Sequence, residues 1–542
     1  MATTKKGAPG APQSARGRGS QRQKIVLKDW SGGLNNAADI TSLGPTEAAL
    51  LENFEVDANG GLTSRPPIVK VAEEPQLNEQ FDHLGYFTET NGVIHVVCAT
   101  ADGTYLWNTV TKVYVKITTI RASGAAQYND RLYICSKTEP GGYWDGATFT
   151  KLDTGALAMP KGEQIVLFKA RFWLVSWVTG FERQRVYFSN IDSVGTSPTS
   201  VNEWKVDENY FNVSRGDGQW ITCLMPGASE LFIFRNGSTY YFKYDSSPMS
   251  GRLELINANI GADSRRCVDA YEFSYLVLNA GRLYRFVSYN YYPLNDPQKL
   301  VLRPESGVGS GVLDVVSAVS VFGRRAVVWY GGATYALDLD QGTWTTWKSP
   351  TSELGYMVRE PRRENDLTPD VAYGVTASKT NALKGLYRIV DEFNATDSET
   401  IVCMLRTKAY DWDVPDSWKL QYYWSADVLT ARDVTGRSTP IQLSSSIVTY
   451  DDLDHLAGGY DTMEDGTYDA LTSKNETVTS VRPFPMYDPF RVNVTFERTM
   501  RYRRCFYEVE LVNDGTSGSA PNRIVAIAVH VEVKQRISQE IQ

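Results

Sequence analysis

The sequence predicts an all-β protein: a β-propeller of about seven blades with a C-terminal antiparallel β-sandwich-like domain. Three observations predict it. Of the 542 residues, 12% are aromatic, with 31 Tyr and 13 Trp, and aromatic and β-branched side chains suit half-buried pleated surfaces. The apolar runs are short and alternate at period two, which rules out a solenoid of helix pairs. The runs also recur in units, each with an apolar strand, a polar turn, a second apolar strand, another turn and a third strand carrying Tyr.

The second strands read VIHVVCA (93–99), RLYICS (131–136), RFWLVSW (171–177), LFIFR (231–235), YLVLN (275–279), AVVWY (326–330) and DVAYGV (370–375). The third strands carry Tyr105, Tyr143, Tyr187, Tyr240, Tyr284, Tyr335 and Tyr387, spaced 38, 44, 53, 44, 51 and 52 residues apart. A fourth strand follows in VYVKI (113–117) and TWTTWKS (343–349). Four strands every ~40–50 residues is the period of propeller blades. Asn91-Gly92, Asn129-Asp130, Asp145-Gly146, Asn236-Gly237 and Asn279-Ala280-Gly281 fall between strands, where tight hairpins need positive φ.

The organisation in chain order is a flexible basic tail (1–24), an N-terminal arm with one short helix (25–80), the propeller (81–400) and the C-terminal β domain (401–542). The tail holds six Lys and Arg and no acid, leaving 49 bases against 63 acids elsewhere. Its low hydrophobicity gives it nothing to bury, and it reads as a solvated terminus or an arm touching DNA or an acidic neighbour. In the arm, KIVLKDW (24–30) is strand-like and SGGLNN turns sharply. GPTEAALLENF (44–54) has Pro45 and Glu47 in the first turn of an expected helix and Leu50, Leu51 and Phe54 toward a core. Such a segment packs around something else. In the C-terminal domain RIVAIAVHVEVK (523–534) alternates as a half-buried strand.

Several function classes find no support. No window reaches 18 apolar residues, so no membrane span is expected, and no apolar region follows Lys5 and Lys6 as a secretory leader requires. Cys98, Cys135, Cys223, Cys267, Cys403 and Cys505 form no CxxC and read as buried thiols. His83, His95, His455 and His530 lack ligand spacing. P-loop, GxSxG and HExxH patterns are absent. DLDQGTWTTW (338–347) and WDGATF (144–149) look like fragments of the repeated Asp turn of sialidase propellers, but Asp followed by Gly and an aromatic is ordinary hairpin chemistry. No local signature selects the convergent pair of carboxylates that a glycosidase needs. Asp451, Asp452, Asp454, Asp461 and Asp465 form an acidic stretch without the EF-hand loop pattern, so a solvated insertion is favoured over a Ca²⁺ site. Arg498, Arg501, Arg503 and Arg504 suit DNA, an acidic neighbouring subunit or plain solvent. The sequons at Asn212, Asn236, Asn394, Asn475 and Asn493 read as chance without a secretory signal.

The arm carries a pattern of its own: Trp30, then SGGLN with Gly32, Gly33, Leu34 and Asn35, a Pro45-led segment ending in LENF with Asn53, then GGLTSRP with Gly61 and Arg65. It resembles the N-termini of phage virion tail proteins, and the chain looks like the tail nozzle or tail hub of short-tailed phages, the tail tubular protein B and packaged-DNA-stabilising class. That family often continues with Arg-Pro-Gly where this chain has Arg65-Pro66-Pro67. The resemblance implies a segment preceding a propeller and a C-terminal β domain, the order inferred above. It also implies a structural virion protein, not an enzyme and without cofactor, made in the host cytoplasm. In the tail it would form a ring, a homohexamer, that extends the DNA channel, retains the packaged genome and passes it at ejection. The implied partners are copies of itself, a tail adaptor, fibre, spike or needle proteins, and genomic DNA, with the nine motif residues as the interaction set. A net-negative lumen would let DNA pass without many phosphate contacts. The alternative is a virion adhesin or glycan-binding propeller, with or without glycosidase activity; a free propeller enzyme ranks below both.

Overall fold

The structure is a computed structural model that describes residues 22–73, 75, 81–155, 158–177, 180–191, 202–214, 216–245, 247–303, 317–348, 354–361, 370–376, 384–390, 401–410, 418–430, 441–450, 474–478, 490–502, 504–513 and 523–534. The alternating apolar runs form antiparallel four-stranded meanders. Blade 1 spans 83–118, blade 2 124–151, blade 3 162–212, blade 4 221–257, blade 5 268–293 and blade 6 317–347. Blade 7 takes three strands from 354–390 and its outermost strand, Ile68–Ala72, from the arm. Six of these units are separate four-stranded sheets; blade 6 instead continues into a ten-stranded sheet. All seven tyrosines of the repeat lie on third strands.

The first strand of each blade is innermost, and these strands pack in a closed ring, with Leu354–Arg359 of blade 7 meeting His83–Thr88 of blade 1. Side chains stitch neighbouring inner strands by imitating a peptide group. The Gln127 amide accepts from Thr88 N (2.9 Å) and donates to Thr88 O (2.7 Å). Gln164 does the same with Leu224 (2.7 and 3.0 Å). The apolar cores lie between blades. Trp107 of blade 1, for example, packs edge-on against Tyr373 of blade 7, with centroids 5.3 Å apart. A blade therefore buries its faces largely against its neighbours, and the ring must close. Closure by Ile68–Ala72 ties the start of the chain to the end of the propeller.

Three expectations are corrected. The segment read as a short helix is the strand Glu47–Glu52. It lies between blade 6, pairing in parallel at Glu52↔Thr346, and strand Ile401–Thr407, pairing antiparallel. Sheet partners on both sides outweigh the helix propensity of Ala, Leu and Glu. The tail boundary at residue 24 also moves: strand Arg22–Leu27 pairs with Arg523–Lys534, and residues 1–21 lie outside the described residues. Nor is the C-terminal β domain built from 401–542 alone. Its strands Ile401–Thr407, Arg504–Asn513, Ile441–Tyr450 and Lys474–Val478 extend the sheet of blade 6 through Glu47–Glu52. Phe490–Tyr502, Trp418–Thr430 and Arg523–Lys534 form a second antiparallel sheet with Leu62–Ser64, Phe54–Val56 and Arg22–Leu27 of the arm. Residues of both sheets, including Leu511 and Ile527, share one core with blades 4 to 6.

Candidate functional site

Two constellations stand out: the clasp made by the arm, and a cleft at the propeller axis.

All nine residues of the arm motif are described, and the clasp uses all but Pro45 within the chain. Trp30 is buried, and its carbonyl accepts from Gly33 N (2.8 Å). Gly32 has no room for a side chain, because a Cβ there would sit 2.7 Å from Glu47 Cγ. Gly33 has φ +65° and packs its Cα side on the Trp344 backbone. Together they let Gly33–Leu34 run parallel to Glu47–Ala48 and bury Leu34. Asn35 caps the turn, accepting from Ala38 N (3.1 Å) and donating to Glu47 Oε2 (3.0 Å). Burial pushes the Glu47 carboxyl up, but bonds from Gly44 N, Asn35 and Lys299 outweigh it and hold the group below the usual range. Gly61 accepts from Asp57 N (2.8 Å) in the Asp57–Gly61 turn. Pro45 is exposed at the loop tip and outside this network.

The centre of the clasp is Asn53 with Arg65. Asn53 has φ 57° and is 2% exposed. Its Nδ2 donates to Val402 O (2.7 Å), and its Oδ1 accepts from Arg65 Nε (2.8 Å) and Lys348 N (2.7 Å). The fully buried Arg65 guanidinium also donates to Pro66 O (2.8 Å) and Lys348 O (3.3 Å) and sits 6.0 Å from the Trp347 ring centroid. Two side chains thus join the arm, the end of blade 6 and the first C-terminal strand. The ion pair of Glu55 with Arg325 adds a second tie to blade 6.

The second constellation was not flagged by the sequence. The turn before blade 5, Arg265–Cys267, is capped by Ser264 Oγ accepting from Arg266 N (3.2 Å). It projects Arg265 and Arg266 across the axis. Arg265 donates to Glu163 O of blade 3 (3.0 Å) and to Asp82 O beside blade 1 (3.1 Å). Arg266 donates to the same Asp82 carbonyl and lies 4.6 Å from the Tyr356 ring centroid of blade 7. The pair divides the axial space. On one side is a cavity of about 340 Å³ bordered by Asp82, Arg121, Lys137, Glu163 and Trp177. On the other, a cavity of about 380 Å³ runs past Asp269, Ser320, Tyr356 and Arg359. Burial pushes the Asp269 carboxyl up to about 6 against the bonds it accepts from Val321 N (2.6 Å) and Ala270 N (2.8 Å). The available signal was the Arg-Arg pair immediately before the strand Val268–Tyr271.

The remaining sequence features separate cleanly. Asp145 and Asp338, in the two Asp-turn fragments, accept from backbone N–H groups two and three residues on, as hairpin turns do. Five cysteines are buried, and burial raises the thiols of Cys98, of Cys223 to about 12, and of Cys135 and Cys267 to about 11. Residues 451–469 of the acidic stretch 450–469, and Arg503, lie outside the described residues. Arg501 and Arg504 belong to different strands, in different sheets.

No family model matches the chain, and no curated protein matches it. Solved structures do. It is similar to the extracellular domain of BT4673 from B. thetaiotaomicron, at 9% identity and TM-score 0.36, over 69% of this chain and 44% of that one. It is similar to YCF48 from Cyanidioschyzon merolae, at 9% identity and TM-score 0.36, over 60% of this chain and 98% of that one. It is also similar to the computationally designed Ika8 protein, at 10% identity and TM-score 0.33, over 63% and 97%. This chain is a β-propeller protein; at such identities and scores the likeness says nothing about its chemistry. No helix among the described residues is long and apolar enough to cross a membrane.

Proposed function

We propose that the chain is a structural ring subunit of a short phage tail, a nozzle or hub, that extends the DNA channel, holds the packaged genome and passes it at ejection. One observation carries the reading. All but Pro45 of the residues on which the family resemblance stands belong to the clasp that welds the propeller to the C-terminal sheets. A subunit that contains a pressurised genome transmits force between its domains, and a continuous sheet with buried polar ties resists hinge motion better than a linker. The acidic balance of the body favours passage of DNA over its capture. The ring would be a homohexamer bound to a tail adaptor above and to fibre, spike or needle proteins at its edges, and the subunit has no catalytic role.

Sedimentation of the full-length chain and particle imaging of the tail test this reading. Six copies around the tail axis, with a through-channel, are expected. A subunit away from the axis, or a monomer that turns over a glycan, overturns it.

A further inference from the structure

We propose that the axial cavity between blades 1, 2 and 3 is a binding site for an oxyanion of the phosphate class, free or as a monoester, held by Arg265 and Arg266 with Arg121 and Lys137 at its rim. The inference is independent of the tail reading and concerns a different part of the fold.

The argument begins with charge. The cavity is bordered by four cations and two carboxylates. Asp82 pairs with Arg121, and Glu163 pairs with Lys137 at 3.0 Å. That leaves Arg265 and Arg266 as the surplus, and among the described residues neither forms an ion pair with a carboxylate. Their hydrogen bonds go instead to the carbonyls of Asp82 and Glu163. A guanidinium has five N–H donors; Arg265 commits two and Arg266 one to these carbonyls. The carbonyls fix both planes and leave N–H groups beside the cavity. A donor fork held in place before the ligand arrives suits the tetrahedral oxygens of phosphate and loses little entropy on binding.

The neighbouring groups respond to the same excess of positive charge. Burial first, and then Arg265, pull Arg266 down to about 10. Burial, then Arg265 and Arg266, push His83 well below its ordinary range. His83 is 8% exposed, and neither ring nitrogen has a hydrogen-bond partner. Two adjacent guanidiniums, partly withdrawn from water and with Asp82 and Glu163 already paired to Arg121 and Lys137, are stabilised by an anion between them. At about 340 Å³ the cavity admits a phosphate or a small monoester. On the far side of the arginines the cavity carries the carboxyls of Asp269 and Glu360 against the one further cation Arg359, so the excess positive charge lies toward blades 1 to 3.

The test is isothermal titration of the full-length chain with inorganic phosphate, with a nucleoside monophosphate and with a thymidine oligonucleotide, each at low and high chloride. Saturable binding of phosphate or the monophosphate that weakens with salt is expected. Binding of the oligonucleotide alone would assign the same chemistry to a polynucleotide backbone, which overturns the small-ligand form stated here. Arg265→Gln and Arg266→Gln should each weaken binding about ten- to a hundredfold, as loss of a charge-assisted bond does. Because both arginines also tie blades together, Arg121→Gln and Lys137→Gln at the rim provide variants that leave the axial bonds in place, and each should weaken binding severalfold. No binding of any probe by the folded wild type, or affinities unchanged in the rim variants, overturns the proposal and leaves the ring reading untouched.

Discussion

Asn53 and Arg65 illustrate how much one buried polar pair can decide. Asn53 sits in the left-handed region that Asn tolerates better than other residues with a Cβ, and its amide satisfies three groups from three parts of the chain. Asn53→Ala keeps the unfavourable φ, leaves Arg65 and Lys348 N short of an acceptor, and should cost about 3 kcal/mol in the denaturation midpoint. Asn53→Gly should recover only the backbone part, about 1 kcal/mol. Equal losses in the two variants would mean that the hydrogen bonds contribute little. A second buried cation behaves differently with pH. Arg235 is fully buried, and its Nη1 donates to Asp217 Oδ2 at 2.7 Å. Chiefly through that guanidinium, the Asp217 carboxyl is held down to about 2. Its folded-state value is depressed, so the unfolded chain binds the proton more readily. The stabilisation is complete above the ordinary carboxylate value of about 4 and is lost as the pH falls toward 2. Asp217→Asn should flatten this part of the acid-unfolding curve. It should cost about 1–2 kcal/mol at neutral pH, a figure discounted because the carboxylate is exposed. An unchanged acid limb would refute the assignment.

At the scale of elements, strand Glu47–Glu52 connects structures that are remote in sequence. Leu51 is fully buried, and the strand pairs with blade 6 on one edge and Ile401–Thr407 on the other. Leu51→Ala should cost about 2–4 kcal/mol. It should also speed amide exchange in both Trp344–Trp347 and Ile401–Thr407 while leaving Arg131–Cys135 of blade 2 unchanged. Acceleration in one neighbour alone would show that the strand does not couple them. This strand also marks where the sequence misled. Its buried residues, Ala48 and Leu51, are three apart, the spacing of a helix face. A register shift between Ala48 and Leu50 produces that spacing in a strand. The second and third strands of the blades were legible because their apolar alternation and hairpin residues are local. The closing strand Ile68–Ala72 was not, because its partner, Leu386–Val390, lies some three hundred residues away. In the clasp, the residue identities were visible, but not that their partners are groups of the same chain. The axial arginines were not legible because a ring brings together Asp82, Glu163 and Arg265 from segments that no linear period relates.

For the whole molecule, the largest core decides whether propeller and C-terminal sheets are separable. It contains Leu276 and Leu278 of blade 5, Val328 and Tyr335 of blade 6, Leu51 and Phe54 of the arm, and Leu405, Val509 and Ile527 from beyond the propeller. Most are fully buried, so a cut at the end of blade 7 exposes one continuous apolar surface rather than two finished domains. It also leaves the second edge of Glu47–Glu52 and the free sides of Leu62–Ser64 and Arg22–Leu27 without partners, and such edges invite intermolecular pairing. A chain ending at residue 400 should therefore aggregate or bind a hydrophobic dye strongly. The full chain should lose near-UV circular dichroism of the blades and protection of the C-terminal strands in one calorimetric transition. Cooperativity of this kind does not follow from a propeller alone, whose blades contact only neighbours; it requires the clasp. A soluble, monomeric truncation that melts at the temperature of the full chain would show that the shared core contributes nothing to the ring, and the clasp would then be a tether rather than a weld.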